Sequence, residues 1–218
     1  MKKMALVLAA VLASGMVLTA CGGSGNAAKE TTGNNTSTTT TTTGGLDLAV
    51  QVGPDPETVD PALNTAIDAS NIILHAFETL LTFDENNDIV PGQAESFDVS
   101  DDGLTYTFHL RDGLKWSDGS DFTAEDFVYS WKRLADPMTA APYAADMLSM
   151  VKGYEEAAAG DIDALAVSAP DAKTLVVELA SPCVYFDKII THASMAPVKK
   201  DVVDANGDQW ALAPETYV

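Results

Sequence analysis

The chain has 218 residues, with 32 acidic against 12 basic side chains and a formal charge of −20. Such a surface repels nucleic acid and anionic lipid alike, which excludes functions that rest on a basic patch. The two cysteines, Cys21 and Cys183, exclude a scaffold stapled by several disulfides, and the length suffices for one packed domain and part of another.

Lys2 and Lys3 precede an uncharged run from Met4 to Thr19. The run is too short, and too interrupted by Ser14 and Gly15, for a membrane span, so residues 1–20 read as a secretory signal peptide. It closes on Leu18, Thr19, Ala20 and Cys21, an order that resembles the lipobox of bacterial lipoproteins. That resemblance implies cleavage before Cys21 and a diacylglyceryl group on it, two acyl chains that anchor stably where one holds only reversibly. Cleavage removes Lys2 and Lys3 and no acid, leaving ten basic against 32 acidic residues, a charge of −22, so attachment has to rest on lipid rather than on charge. Residues 21–45 are almost wholly Gly, Ser, Thr, Asn and Ala, a disordered linker with a typical reach of about 27 Å. Its threonine run, Thr38 to Thr43, fits a β-prone tract or a glycosylated stalk.

From Leu46 the pattern changes. Leu46, Leu48, Val50 and Val52 alternate with polar or small residues, the period of a half-buried strand that stops at Pro54 and Pro56. Asp55, Pro56, Asp60 and Pro61 mark a loop. Ile72, Ile73, Ala76, Phe77, Leu80 and Leu81 recur at helical spacing, with Asp68 or Ser70 as the cap. Asp84 to Asp88 is a polar turn. Phe97 and Val99 lead to a hairpin at Asp101, Asp102 and Gly103, and Leu104, Tyr106, Phe108 and Leu110 then share one face of a strand.

Thr123 and Asp126 have capping-box spacing before a helix whose apolar face is Phe127, Val128, Trp131 and Leu134. A helix around Tyr143 to Val151, a short one through Glu155 to Ala159, a hairpin with Ala172 and Lys173 at its tip, and a short helix from Tyr185 to Ile190 complete a mixed α/β chain with antiparallel hairpins. The expected core is Phe97, Tyr106, Phe108, Phe127, Trp131, Leu175 and Val177.

Catalytic constellations are missing. His75, His109 and His192 lack the paired spacing of a zinc hydrolase, and no Gly-x-Ser-x-Gly elbow or nucleotide-binding glycine motif occurs. The acidic groups Asp84, Glu85 and Asp88, or Asp118 and Asp121, lack the glycine and terminal glutamate of an EF-hand loop and read as solvated turns. Trp116, Tyr129 and Trp131 are aromatics of the kind that stack on sugars, but Trp131, at helical spacing with Phe127 and Leu134, reads as core. The sequence therefore points to no enzyme, no cofactor and no metal.

Residues 56–61 (PETVDP) and 102–134 (DGLTYTFHLRDGLKWSDGSDFTAEDFVYSWKRL) resemble the peptide-binding family of solute-binding proteins of ABC importers. Residues 134–144 (LADPMTAAPYA) and 185–194 (YFDKIITHAS) resemble its oligopeptide-binding branch. The resemblance implies the N-terminal portion of a two-lobed fold of the type II periplasmic-binding-protein kind. Residues 46–77 and 199–218 then belong to the first lobe and residues 78–198 to an extra small α/β domain, and members of that family continue past the position of Val218. It also implies a monomeric, extracytoplasmic receptor that takes an oligopeptide as an added strand and delivers it to permease subunits. Thr65, Ala66 and Ile67 are implied to lie along the peptide backbone, although the threonine replaces an acidic side chain of relatives. Tyr143 is implied to face the peptide near its amino end, or else packs at a helix start; His192 lies at the cleft margin, or else caps a turn. A nickel chelate, haem or an oligosaccharide is the alternative ligand, and a surface adhesin or signalling receptor without transport the alternative class.

Overall fold

The computed structural model describes residues 50–51, 53–213 and 216–218. The expected signal peptide, Cys21 and the linker lie outside the described residues.

The centre is a four-stranded antiparallel sheet in the order β3-β4-β6-β5, built from β3 (Ala94–Val99), β4 (Thr105–Leu110), β5 (Val167–Asp171) and β6 (Thr174–Glu178). Strict alternation gives β4, one of the two inner strands, a single core face: Tyr106, Phe108 and Leu110 are buried, while Thr105, Thr107 and His109 are half-buried on the other face. Both hairpin tips fall where the turn residues place them, at Asp101–Gly103 and at Ala172–Lys173. The pairing of β4 with β6 runs from Thr105↔Glu178 to His109↔Thr174, so everything between the two hairpins in sequence is inserted between neighbouring strands.

That insert begins with α2 (Ala124–Ala135), which packs on β5 and β6. Its start is fixed by a capping box: the Asp126 carboxylate accepts from the Thr123 backbone N–H at 2.7 Å, and the Thr123 side chain caps in return. The apolar stripe is buried as expected, with Phe127 and Trp131 at 0% and 1% exposure, and edge-on aromatic contacts run from Phe122 to Phe127 to Trp131. The Trp131 indole N–H donates to the Met195 carbonyl at 3.1 Å, and the Ser130 hydroxyl accepts from the Val198 N–H at 2.8 Å. These bonds lay the segment 193–198 across α2. Short helices α3 (Ala144–Leu148), α4 (Tyr154–Ala158), α5 (Phe186–Ile189) and α6 (Lys200–Asn206) complete the chain. Among the described residues no helix is long and apolar enough to cross a membrane.

Three local expectations are corrected. Val50 and Gln51 lie in no strand, and Val50 is 67% exposed; the rest of that expected strand is outside the described residues. Helix α1 is Ile67–Ala76, so Asp68 and Ser70 sit inside its first turn and neither caps it. Nor does α1 reach Leu80 and Leu81: Phe77 turns extended, and Leu81 opens a separate hairpin of β1 (Leu81–Phe83) with β2 (Ile89–Pro91). Competition from a different set of partners ended the helix. The Thr79 and Leu80 carbonyls accept from Gln93, Gly92 and Ala94, and Gly92 passes so close to the Thr79 carbonyl that a Cβ there would collide with it.

Candidate functional site

The loop between Thr58 and α1 is built by its own short polar side chains. The Asp60 carbonyl accepts from the Leu63 and Asn64 N–H groups, closing a turn at Pro61–Leu63. Asn64, 2% exposed, then does the work that α1 lacks in a cap: its Oδ1 accepts from the Ala66 N–H and its amide donates to the Ser70 hydroxyl, both at 2.8 Å. Ala66 is consequently held extended, at φ −103° and ψ 139°.

This loop forms one wall of a cleft of about 500 Å³, lined also by Pro142 and by Asp208, Gln209 and Leu212. Thr65 and Ala66 line it; Ile67 does not, and stands 80% exposed one residue beyond. Pro142 connects this wall to the second pair of expected site residues. Tyr143 begins α3, and its ring meets His192 edge to face at 5.6 Å. His192 caps the short 3₁₀ turn Ala193–Met195, with Nδ1 accepting from the Ser194 N–H at 3.2 Å, which leaves the ring proton on Nε2. Burial pushes the His192 pKa below its ordinary value of 6.5. In geometry, Tyr143 stands at a helix start and His192 caps a turn. Cys21 lies outside the described residues.

The most heavily bonded side chain of the region escaped the sequence reading, which marked Asp60 only as a loop residue. Asp60 is 2% exposed and receives a two-pronged contact from Arg133, at 3.0 Å to Oδ1 and 2.6 Å to Oδ2. The Ala62 N–H adds 2.9 Å to Oδ1, and the Trp210 indole N–H adds 2.9 Å to Oδ2. For Arg133, burial works to lower the pKa, but the bonds and charge of Asp60 outweigh it and the guanidinium sits above its ordinary value. Trp210 stacks on Tyr217 at 5.7 Å, and the Tyr217 hydroxyl donates to the Val59 carbonyl at 3.0 Å. Burial, with the Asp60 charge, pushes the Tyr217 pKa up. A signal existed in the bare sequence: an arginine on the last turn of an amphipathic helix, otherwise rich in buried neighbours, needs an acid.

The remaining sequence candidates are absorbed by local structure. Asp84 Oδ1 accepts from the Asn86 and Asp88 N–H groups at 2.8 Å, holding the β1–β2 turn. Asp118 pairs with Lys199 and Asp121 with Lys115. His75 is exposed, and the half-buried His109 lies 3.0 Å from Asp98. Trp116 and Trp131 are buried, which leaves neither as a sugar platform. Among the described residues no three His, Cys, Asp or Glu side chains gather as a metal site would require.

A model of the family described as bacterial extracellular solute-binding proteins, family 5 Middle, matches residues 88–217. The periplasmic oligopeptide-binding protein OppA of Escherichia coli is 42% identical over 161 residues, which cover 72% of this chain and 30% of that protein. The probable deoxycholate-binding periplasmic protein YgiS of the same organism is 39% identical over 167 residues, 75% of this chain and 31% of its own. In three dimensions, the crystal structure of Haemophilus influenzae OppA in complex with the peptide RPPGFSPFR superposes with a TM-score of 0.73 at 39% identity, covering 76% of this chain and 33% of that one. The chain therefore spans about a third of the length of the relatives it matches.

Proposed function

Because the chain belongs to the bacterial extracellular solute-binding proteins of family 5, we propose that it forms the N-terminal side of a receptor that captures oligopeptides outside the cytoplasm and delivers them to an ABC importer. The observation that carries this reading is the identity to a protein named for oligopeptide binding, over 72% of this chain. Extended backbone at Ala66 suits pairing with a peptide main chain, whose donors and acceptors are the same in every sequence. Thr65 and Ala66 run along that main chain, Ile67 follows at the start of α1, Tyr143 faces the amino end of the peptide, and His192 closes the margin. Relatives of about three times the length support the reading that these residues supply one side of a hinged cleft and that another lobe closes over it. The bonds of Asp60 to Trp210 and of Tyr217 to Val59 support the assignment of residues 46–77 and 199–218 to one lobe, with 78–198 as the extra domain.

A chimera tests the ligand. Residues 50–218 replace the matching third of the E. coli oligopeptide-binding protein, and calorimetry with a mixed pool of short peptides is expected to show binding. A folded chimera that binds no peptide would sink the reading. One observation favours a second ligand class, the relative named for deoxycholate, and the same chimera titrated with that bile acid separates the two.

Anchoring at Cys21 follows from the lipobox-like run before it. The Cys21→Ala chain is expected in the soluble fraction and the parent in the membrane fraction; identical fractionation of both would remove the anchor from the proposal.

A further inference from the structure

The cleft has walls from three distant parts of the chain, and each is tied to one carboxylate that lies behind them. Asp60 precedes the wall at Leu63–Ala66 and bonds the Ala62 N–H at its start. Arg133, held by both Asp60 oxygens, stands in the last turn of α2, and the chain leaving that helix leads on to Pro142. Trp210, bonded to Oδ2, sits between Gln209 and Leu212 of the third wall. At 2% exposure Asp60 does not itself face the cleft.

We propose that Asp60 is the positioning residue of this cleft, its carboxylate holding the three walls in one register. The inference rests on the reading of the cleft as a peptide site. A hydrogen-bonded ligand strand tolerates errors of only about 0.5 Å in its partners. Buried ion pairs are poor sources of stability, since apolar replacements of similar volume are often neutral or better. What Asp60 adds is direction: two oxygens, each bonded by two donors from different elements, fix three chain segments at once.

The test measures wall-to-wall distances by spin labels in the unliganded full chain carrying Cys21→Ala and Cys183→Ala. One pair is placed through Thr65→Cys and Pro142→Cys, the other through Thr65→Cys and Leu212→Cys. The double variant Asp60→Asn, Arg133→Met removes the ion pair without leaving a buried charge alone, and is expected to broaden the 65–142 distance distribution about twofold while the melting temperature holds. Trp210→Phe removes a single donor and keeps an aromatic ring, and is expected to broaden the 65–212 distribution by a similar factor and leave 65–142 unchanged. Unchanged distributions in either variant, or broadening only in step with a fall in melting temperature, would overturn the positioning role. These distances are read without ligand, so failure of the peptide reading shows separately, in a chimera that binds nothing.

Discussion

The sheet with α2 and the loop region around the cleft are held by opposite means. In the first, the buried residues are apolar, recur with the period of their element, and meet partners across hairpins whose turns announce themselves: Tyr106 and Phe108 on β4, Leu175 and Val177 on β6, Phe127 and Trp131 on α2. In the second, order comes from single polar groups joined over long stretches of chain, Asp60 with Arg133 and Trp210, Tyr217 with Val59, and Asn64 with the first turn of α1. Apolar packing is tolerant and non-directional, so it gives a stable body; polar bonds are directional, so they aim the pieces a ligand would touch.

The largest effect should come from the apolar side. Trp131→Ala deletes a fully buried ring and its bond to the Met195 carbonyl, and chemical denaturation is expected to show a loss of roughly 3 to 5 kcal/mol. A loss below about 1 kcal/mol would mean that α2 is not the keystone of the sheet and would erase the contrast.

Asn64→Ala attacks the polar side. It strips a buried acceptor from the Ala66 N–H and a donor from Ser70, a cost of about 2 kcal/mol if both are left unmet. Hydrogen exchange sharpens the comparison: protection should fall at Ala66 and in the first turn of α1 while the amides of β4 and β6 keep theirs. Uniform loss across both regions would show that they melt as one unit rather than two.

The smallest effect is a dependence on pH. Because burial lowers the His192 pKa in the folded state, the unfolded chain binds the proton more readily. The contribution is therefore complete above the ordinary value of 6.5 and is lost as pH falls from there toward the folded pKa. His192→Asn keeps an acceptor for the Ser194 N–H and removes the titration, so the melting temperature of this variant should vary less than the parent's below pH 6.5. Parallel profiles would place the acid sensitivity elsewhere.

The same contrast decides what could be read in the sequence. Period-two alternation at Leu104–Leu110 and the capping box at Thr123 are local, and the strand and helix stand where they were expected. Local pattern misled at Leu80 and Leu81, whose spacing continues α1, because the backbone of Gln93 and Ala94 claims that segment for a hairpin. In the candidate site, the sequence reading named Thr65, Ala66, Ile67, Tyr143 and His192; the fold sets the first two in the cleft, leaves Ile67 exposed outside it, and joins the last two in one aromatic contact. The third wall at Asp208–Leu212 carried no motif. Asp60, Arg133 and Trp210 are separated by dozens of residues, so the arginine on the last turn of α2 signals a need for an acid, but no period, turn or cap says which one.

The insertion of α2 between the two hairpins also sets a schedule for synthesis. Once β4 has left the ribosome, its partner β6 is still unmade: Thr174 pairs with His109, about 65 residues earlier, which at roughly 5 to 20 residues per second takes about 3 to 13 s to add. For that interval the β3–β4 hairpin offers an open edge and the uncovered rings of Tyr106 and Phe108, the kind of surface on which nascent chains stick to one another. A hairpin that cannot yet close its sheet waits through that interval, so the four-stranded sheet is completed only once β6 has been made.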